Sequence, residues 1–413
     1  RVIEQLEGVA LPPSVWESSV LPARVRDYRP AMLDGLLSSG EIVWVGSKTT
    51  GSKAKEPGLV ALHPADSLLL TVQDGEKNGE APGEPVTLPD AVMAVLAPGG
   101  AYHANQLAGL TRAAWDASSE CVDESTGEIL PHPWSDSQFE EALWSLVWQG
   151  KVTNSSFDPL RSLGASSHAV KAPARASRRR VRVRVSVPAN MTGLWSAVPH
   201  ADMQEASAER VAIARIEALL DRYGVIAPPM IDKERLDGGF SGLYPVLRRM
   251  EEHGALMRGM FVSGCGAAQF ASRQTVDALR ACAAEPSAVV LDATDPANLY
   301  GSVIAWPRTI GGFSIRPARR SGASVVLRGG RLLAYAVPRS HHLLLAQDAD
   351  PALQQACNEL AYALQRNLRD GGIRGGVTFC DANDEPLTVR GEWSRMLHVA
   401  GFVPVPQGMR LYC

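Results

Sequence analysis

Three times along this chain an apolar-periodic helix runs into a glycine and passes at once into a short β-rich segment. The copies are Leu33 to Gly40 before Glu41-Ile42-Val43-Trp44, Leu143 to Gly150 before Lys151-Val152-Thr153, and Leu243 to Gly254 before Ala255-Leu256-Met257. A glycine just past a helix end takes up the left-handed backbone that other residues adopt at a cost, and it redirects the chain. Helix, glycine, strand is how the last helix of a winged-helix unit enters its wing. The three glycines lie 110 and 104 residues apart, so the pattern predicts tandem modules. A chain of 413 residues also exceeds what one hydrophobic core serves, and each module is large enough to fold without disulfides or metal.

The second copy can be read residue by residue. Ser135 or Ser137 can cap a helix, with Gln138 or Glu140 completing a capping box. Phe139, Leu143, Leu146 and Val147 then share one helical face, and Trp144 with Trp148 lies on a neighbouring one. Those tryptophans are expected to pack in a core rather than to meet a nucleobase. In the third copy Ile213, Ile216, Leu220 and Tyr223 line a first helix ending at Gly224, and Pro228-Pro229 keep the connection short. Leu243, Val246, Leu247 and Met250 line a second helix. Arg248 and Arg249 flank that stripe and make it the candidate to lie along a DNA groove or backbone; a solvated basic face is the competing reading.

Charge is nearly balanced at −3, but 34 of the 41 basic side chains are Arg and 7 are Lys. That bias fits either phosphate recognition by planar guanidinium groups or a G+C-rich genome. Residues 171–187 begin as a Pro/Ala/Ser linker and end by alternating Arg and Val at Arg180, Arg182 and Arg184, the period of a strand with one cationic face. Such an arm could track phosphates. The six cysteines form no C-x-x-C pair and no zinc spacing with histidine, which reads as free thiols in a reducing cytoplasm. No run approaches the ~18 apolar residues of a membrane span. The chain opens at Arg1, with no targeting peptide and no Met, as a portion excised from something larger would.

After residue 285 short β runs dominate: Val289–Leu291, Ser302–Trp306, Val325–Leu327, Leu332–Tyr335, Leu343–Leu345 and Val377–Phe379. Arg328-Gly329-Gly330-Arg331 is a two-residue hairpin, since paired glycines satisfy the positive φ angles of a primed turn. One helix, Pro351 to Arg369, interrupts the strands. The expected fold class is therefore α+β: tandem winged-helix modules at 1–110, 111–205 (with the Arg-rich insert) and 206–284, followed by a β-barrel at 285–413 crossed by one helix.

Gly46 to Gly51-Ser52-Lys53 invites a phosphate-loop reading, but a Walker A loop needs Lys directly after its glycine, so it is rejected. The runs Gly40-Glu-Ile-Val-Trp-Val-Gly46, Glu141 to Gly150 with Val152 to Phe157, Gly193-Leu-Trp-Ser196, Gly238-Gly-Phe240 with Leu243-Tyr-Pro-Val246, Gly266 to Phe270, and Ala293 to Asn298 with Tyr300-Gly301 resemble the C-terminal region of the bacterial Lhr, or large helicase-related, family. The sequence departs from that pattern in its Arg-rich insert and at Leu299, where proline is expected. The resemblance implies an ATP-driven helicase whose motor, with its ATP and magnesium, lies upstream, leaving no cofactor here. It also implies homo-oligomers, similarity to AlkZ-type DNA glycosylases, removal of uracil by some members, and a cytoplasmic, nucleoid-associated protein acting on single-stranded or forked DNA.

Removing uracil requires an extruded nucleotide, a group that reads its edge, and a carboxylate that positions water or stabilises the cationic sugar. Asp295-Pro-Ala-Asn298 with Tyr300 offers an acid, an amide and an aromatic face on one turn, with Asp292 as the substitute acid. An Asp before Pro is equally an ordinary turn former. Gln269 is expected to contact nucleic acid rather than catalyse, because the glycosylases' Gln-x-Gln or Gln-x-Asp motif has Ala271 in its second polar position here. Asp381, Asp384 and Glu385 read as a solvated loop, and His341-His342 as surface. The opposing function is a noncatalytic accessory that oligomerises the helicase and grips DNA, and a third is scaffolding without DNA contact.

Overall fold

The computed structural model describes residues 1–47, 58–70, 87–117, 121–122, 129–130, 133–166, 188–200, 207–234, 236, 238–281, 287–310, 314–347, 352–369, 376–388 and 391–412. The chain forms two compact units, 1–17 with 25–218, and 18–24 with 219–413.

The first unit opens with α1 (Val2–Gln5), α2 (Pro13–Val15) and α3 (Pro30–Ser38), followed by the hairpin β1 (Ile42–Ser47) and β2 (Leu59–Pro64). Leu11 adds an isolated bridge to Val60 on the other edge of β2. The second module holds α4 (Leu88–Leu96), β3 (Tyr102–His103), α5 (Ala104–Ala117), the small hairpin β4 (Cys121–Val122) and β5 (Ile129–Leu130), α6 (Asp136–Trp148), β6 (Val152–Asn154), α7 (Asp158–Ser166) and β7 (Leu194–Ala197). Its strands run in the order β3-β7-β6. Because this module begins at α4, the boundary expected at residue 110 falls inside α5. The recurrent glycines Gly40, Gly150 and Gly254 adopt φ +76°, +75° and +76°, the same left-handed stop each time.

Ser135 caps α6 by accepting the Gln138 N–H. The stripe Phe139, Leu143, Leu146 and Val147 is buried together with Trp144 and Trp148, so the tryptophans are core, each such apolar side chain contributing about 1.5–3 kcal/mol. Gly46 serves this packing: a Cβ there would lie 2.5 Å from the Val147 carbonyl oxygen. Residues 48–57, the rest of the rejected phosphate loop, lie outside the described residues.

Arg161 on α7 is the electrostatic hub of this unit. Its guanidinium donates to both Glu17 oxygens at 2.8 and 2.7 Å, to Asp34 Oδ2 at 2.8 Å and to Asp158 Oδ1 at 2.6 Å. These hydrogen bonds hold its proton above the ordinary arginine range against the opposing effect of burial. Arg161→Met leaves three carboxylates facing one another, so we expect urea unfolding of this unit to show a loss of about 2–4 kcal/mol. A loss below about 1 kcal/mol would make the hub an ordinary surface ion pair.

The second unit begins within α8 (Ala208–Tyr223) and continues through β8 (Val225–Ile226), α9 (Pro228–Glu234), α10 (Gly239–Glu252), β9 (Leu256–Gly259), β10 (Gln269–Ser272) and α11 (Arg273–Ala281). The order β8-β10-β9 repeats that of the second module. There follow β11 (Ala288–Asp292), β12 (Ser324–Arg328), β13 (Arg331–Val337), β14 (His342–Leu345), α12 (Leu353–Arg369), β15 (Val377–Phe379), β16 (Asp381–Ala382), β17 (Glu385–Pro386), α13 (Glu392–Val399), β18 (Val403–Val405) and β19 (Gly408–Leu411).

Where a closed or nearly closed barrel is expected, the strands form a six-stranded sheet, β11-β12-β13-β14-β16-β17, and a three-stranded one, β15-β19-β18, and no closed barrel is found among the described residues. Helix α12 packs its apolar face on the first sheet through Ala356, Leu360 and Leu364. Two further details matter for the site. Residues Ser302 to Trp306 are a turn rather than a strand, with a single bridge from Tyr300 to Ile304. The 328–331 hairpin is as expected, with Gly329 at φ +55° and Gly330 at φ +77°. Among the described residues no helix is long and apolar enough to cross a membrane, and Cys265, Cys357 and Cys380 are free.

Candidate functional site

The third module presents a complete winged helix. In α10 the residues Leu243, Val246 and Leu247 are buried, while Arg248 and Arg249 lie on the exposed face. Arg248 Nε reaches Glu252 at 2.9 Å, an exposed i,i+4 pair that costs little to break, and Glu251 and Glu252 balance the two arginines on this helix. The wing joins β9 to β10, and Met260 at its start is 82% exposed.

Gln269 closes that wing from inside. Its side chain is fully buried. Oε1 accepts the N–H groups of Phe261 and Val262 at 2.9 and 2.8 Å, and Nε2 donates to the carbonyls of Val262 and Gly266 at 2.9 and 2.6 Å. Both donors and both acceptor positions of the amide are used, so nothing remains to meet a nucleotide. The expected nucleic-acid contact is corrected to a wing clip.

The turn leaving β11 is held as tightly. Asp292 Oδ1 accepts from the Thr294 N–H and hydroxyl at 2.8 and 2.5 Å, and Oδ2 accepts the Gly322 N–H at 3.0 Å, with the side chain part-exposed. Asp295 is 1% exposed and forms a bidentate pair with Arg24, both contacts at 2.8 Å, while its Oδ1 also accepts the Ala297 N–H. Asn298 is fully buried, donating to the Ala293 carbonyl at 2.9 Å and accepting the Tyr300 N–H at 3.1 Å. Arg319 donates to the carbonyls of Thr294, Asp295, Asn298 and Tyr300. Its pKa is lowered by burial, against the pull of Asp295.

Two arginines therefore clamp the turn, and neither was singled out from sequence. A buried aspartate demands a cation, but nothing local says which of 34 arginines supplies it. Asp295 is sealed as an ion pair and Asn298 is spent on backbone, which corrects the expectation that these two side chains face a substrate. Asp292 stays nearer solvent.

Tyr300 supplies the aromatic face. Its ring stacks on Trp306 with centroids 6.1 Å apart and planes 18° from parallel, and its hydroxyl donates to the Gly330 carbonyl at 2.9 Å. Trp306 in turn meets Tyr335 edge-on at 5.7 Å. Gly301 permits this, since a Cβ would fall 2.4 Å from Trp306 Nε1. Tyr300 and Trp306 are both part-exposed. The winged helix and the turn share one apolar cluster: Ala227, Met230 and Cys265 pack with Val262, Leu299, Val303 and Ile304. Leu299, the departure from the expected proline, is thus a packing residue.

Elsewhere, His342 Nδ1 lies 2.6 Å from Asp381 Oδ2, so Asp381 is half-buried in a pair rather than solvated. Asp384 accepts from Ser314, which lowers its pKa. Arg180, Arg182 and Arg184 lie outside the described residues. No cluster of metal-ligating side chains occurs among the described residues.

Residues 205–290 and 1–65 match winged-helix domains of the large helicase-related protein. Two curated relatives align over 99% of the chain at 38% identity: the Lhr helicase/uracil glycosylase of Escherichia coli and the Lhr helicase/probable uracil glycosylase of Mycolicibacterium smegmatis. The chain spans about a quarter of the length of each, the matched share being 26%. Among solved structures, the DNA glycosylase AlkZ of Streptomyces sahachiroi superposes with a TM-score of 0.46 at 15% identity, covering 87% of this chain and 89% of that one.

Proposed function

From the premise that the chain is Lhr-related along its length and carries Lhr winged-helix domains, we propose that it is the C-terminal DNA-repair region of an Lhr-type helicase and excises uracil from DNA. The observation that carries this reading is the shared core of the third winged helix and the Asp292–Tyr300 turn. A module suited to grip DNA and a turn bearing a carboxylate and a stacked aromatic pair belong to one body, so a nucleotide extruded from bound DNA has a short path to the turn.

In this mechanism α10 and the wing hold the backbone through Arg248 and Arg249, and the Arg180, Arg182 and Arg184 arm adds phosphate contacts that weaken with salt. The extruded base stacks against Tyr300 and Trp306. As the C1′–N1 bond lengthens, the Asp292 carboxylate, oriented by its three hydrogen bonds, stabilises positive charge on the sugar and directs water to C1′. Uracil departs with the bonding pair and is protonated by solvent. Asp295 acts through Arg24 by holding the turn's shape. The region uses no cofactor of its own; ATP and magnesium serve the motor. We further propose that it acts on single-stranded or forked DNA and assembles as a homo-oligomer.

The test is incubation with a uracil-containing oligonucleotide without ATP, scored by alkali-labile abasic sites. Asp292→Asn is expected to lower excision about 100-fold or more with unchanged DNA affinity. Affinity retained with no product from the unsubstituted protein would establish the second reading, a noncatalytic gripping region, which the internal commitment of Gln269, Asp295 and Asn298 favours.

A further inference from the structure

Lys233 is the one lysine in the last 242 residues of a chain whose basic side chains are otherwise almost all arginine. Arginine matches lysine as a surface cation but cannot give up its proton to become a nucleophile. The position of this lysine is equally unusual. It lies in the last turn of α9, half-buried, with Nζ donating to Tyr223 Oη at 3.0 Å and lying 5.0 Å from that ring's centroid. Tyr223 in turn donates to Glu234, and Glu234 Oε2 pairs with the buried Arg222 at 2.6 Å. The Glu234 charge is thus largely answered by Arg222, and the second carboxylate that Lys233 feels, Asp295, by Arg24. Arg319, which clamps the Asp292–Tyr300 turn, also acts on it electrostatically. Burial first, then Arg319 and Arg222, push the Lys233 amine down to about 8 against the pull of Glu234 and Asp295.

We propose that Lys233 is an amine nucleophile that captures the aldehyde of a ring-opened abasic deoxyribose, holding it at the turn as an iminium. The Nζ lone pair forms a bond to C1′, the carbonyl oxygen becomes a hydroxyl, and it leaves as water after protonation. Addition of water to the iminium reverses the sequence and frees both amine and sugar. The proposal rests on the excision reading only for the source of the aldehyde.

A preformed abasic site removes that dependence. The whole chain is mixed with an oligonucleotide bearing one such site, reduced with sodium borohydride, resolved on a denaturing gel, and the adduct is mapped by mass spectrometry. We expect a covalent adduct on Lys233 whose yield rises with pH up to about 8 and then levels, because only the free amine attacks. Lys233→Arg, which keeps the charge, is expected to lose at least about nine-tenths of the adduct at unchanged melting temperature. Mapping on the unsubstituted protein keeps the test independent of how that variant folds. No adduct, or an adduct on Arg1 or another lysine, overturns the proposal. A parallel uracil substrate separates the two readings: uracil release without adduct sinks this one alone, and adduct on the abasic substrate without uracil release sinks excision alone.

Discussion

Asp295→Ala is expected to destabilise the second unit by about 3–5 kcal/mol in urea unfolding, among the larger losses a single substitution in this chain should produce. The aspartate is sealed at 1% exposure, and its loss strands the Arg24 guanidinium, itself only 18% exposed, without its bidentate partner. It also releases the Ala297 N–H. The pair need not stabilise the fold relative to an apolar replacement, because burying two charges costs about what their attraction returns. The double variant Arg24→Met with Asp295→Leu should therefore lose clearly less than the two single losses combined, a coupling that a double-mutant cycle reads directly. Such coupling identifies Asp295 as a brace. If Asp295→Asn instead keeps its melting temperature and abolishes uracil excision, the acid that acts is Asp295 and not Asp292.

Gln269→Leu should be the next most damaging change, and its effect should reach function. Leucine fills similar volume but answers none of the four backbone groups the amide satisfies. Each buried peptide group left unpaired costs about 1–3 kcal/mol, and partial rewetting of an exposed wing lowers the total to about 3–5 kcal/mol. The wing should lose its shape before α10 does, since α10 is anchored separately through Leu243, Val246 and Leu247. We expect a fall of about tenfold or more in DNA affinity by fluorescence anisotropy, with helical circular dichroism little changed. An unchanged affinity would mean that the wing does not touch DNA. Gln269→Glu, which retains the shape but not the two donors, should fall between.

Much of the fold was open to inspection in the sequence because its signals are local. Helix periodicity and the glycine that must stand at positive φ placed the ends of the α3, α6 and α10 helices, and two adjacent glycines placed the 328–331 hairpin. Sheet closure was not legible, because β-rich runs carry no statement of which strand pairs with which. Six strands in an open order and three in another sheet satisfy the same alternation that a barrel would. The boundary expected at residue 110 falls within α5 for a similar reason: α4 and α5 are ordinary amphipathic helices until β3 pairs with β7 across 91 residues.

The candidate site divides along the same line. The family resemblance, and the glycosylase chemistry it implies, brought Asp292, Asp295, Asn298, Tyr300 and Gln269 to notice. What each does was decided by partners remote in sequence. Arg24 reaches Asp295 across 271 residues, Trp306 stacks on Tyr300 only because Gly301 leaves room, and Lys233 sits among charges contributed by three separate segments. Backbone preference is a property of a few neighbouring residues and is written in their order. Burial and charge neutralisation depend on the surroundings the folded chain supplies, so those came only with the tertiary structure.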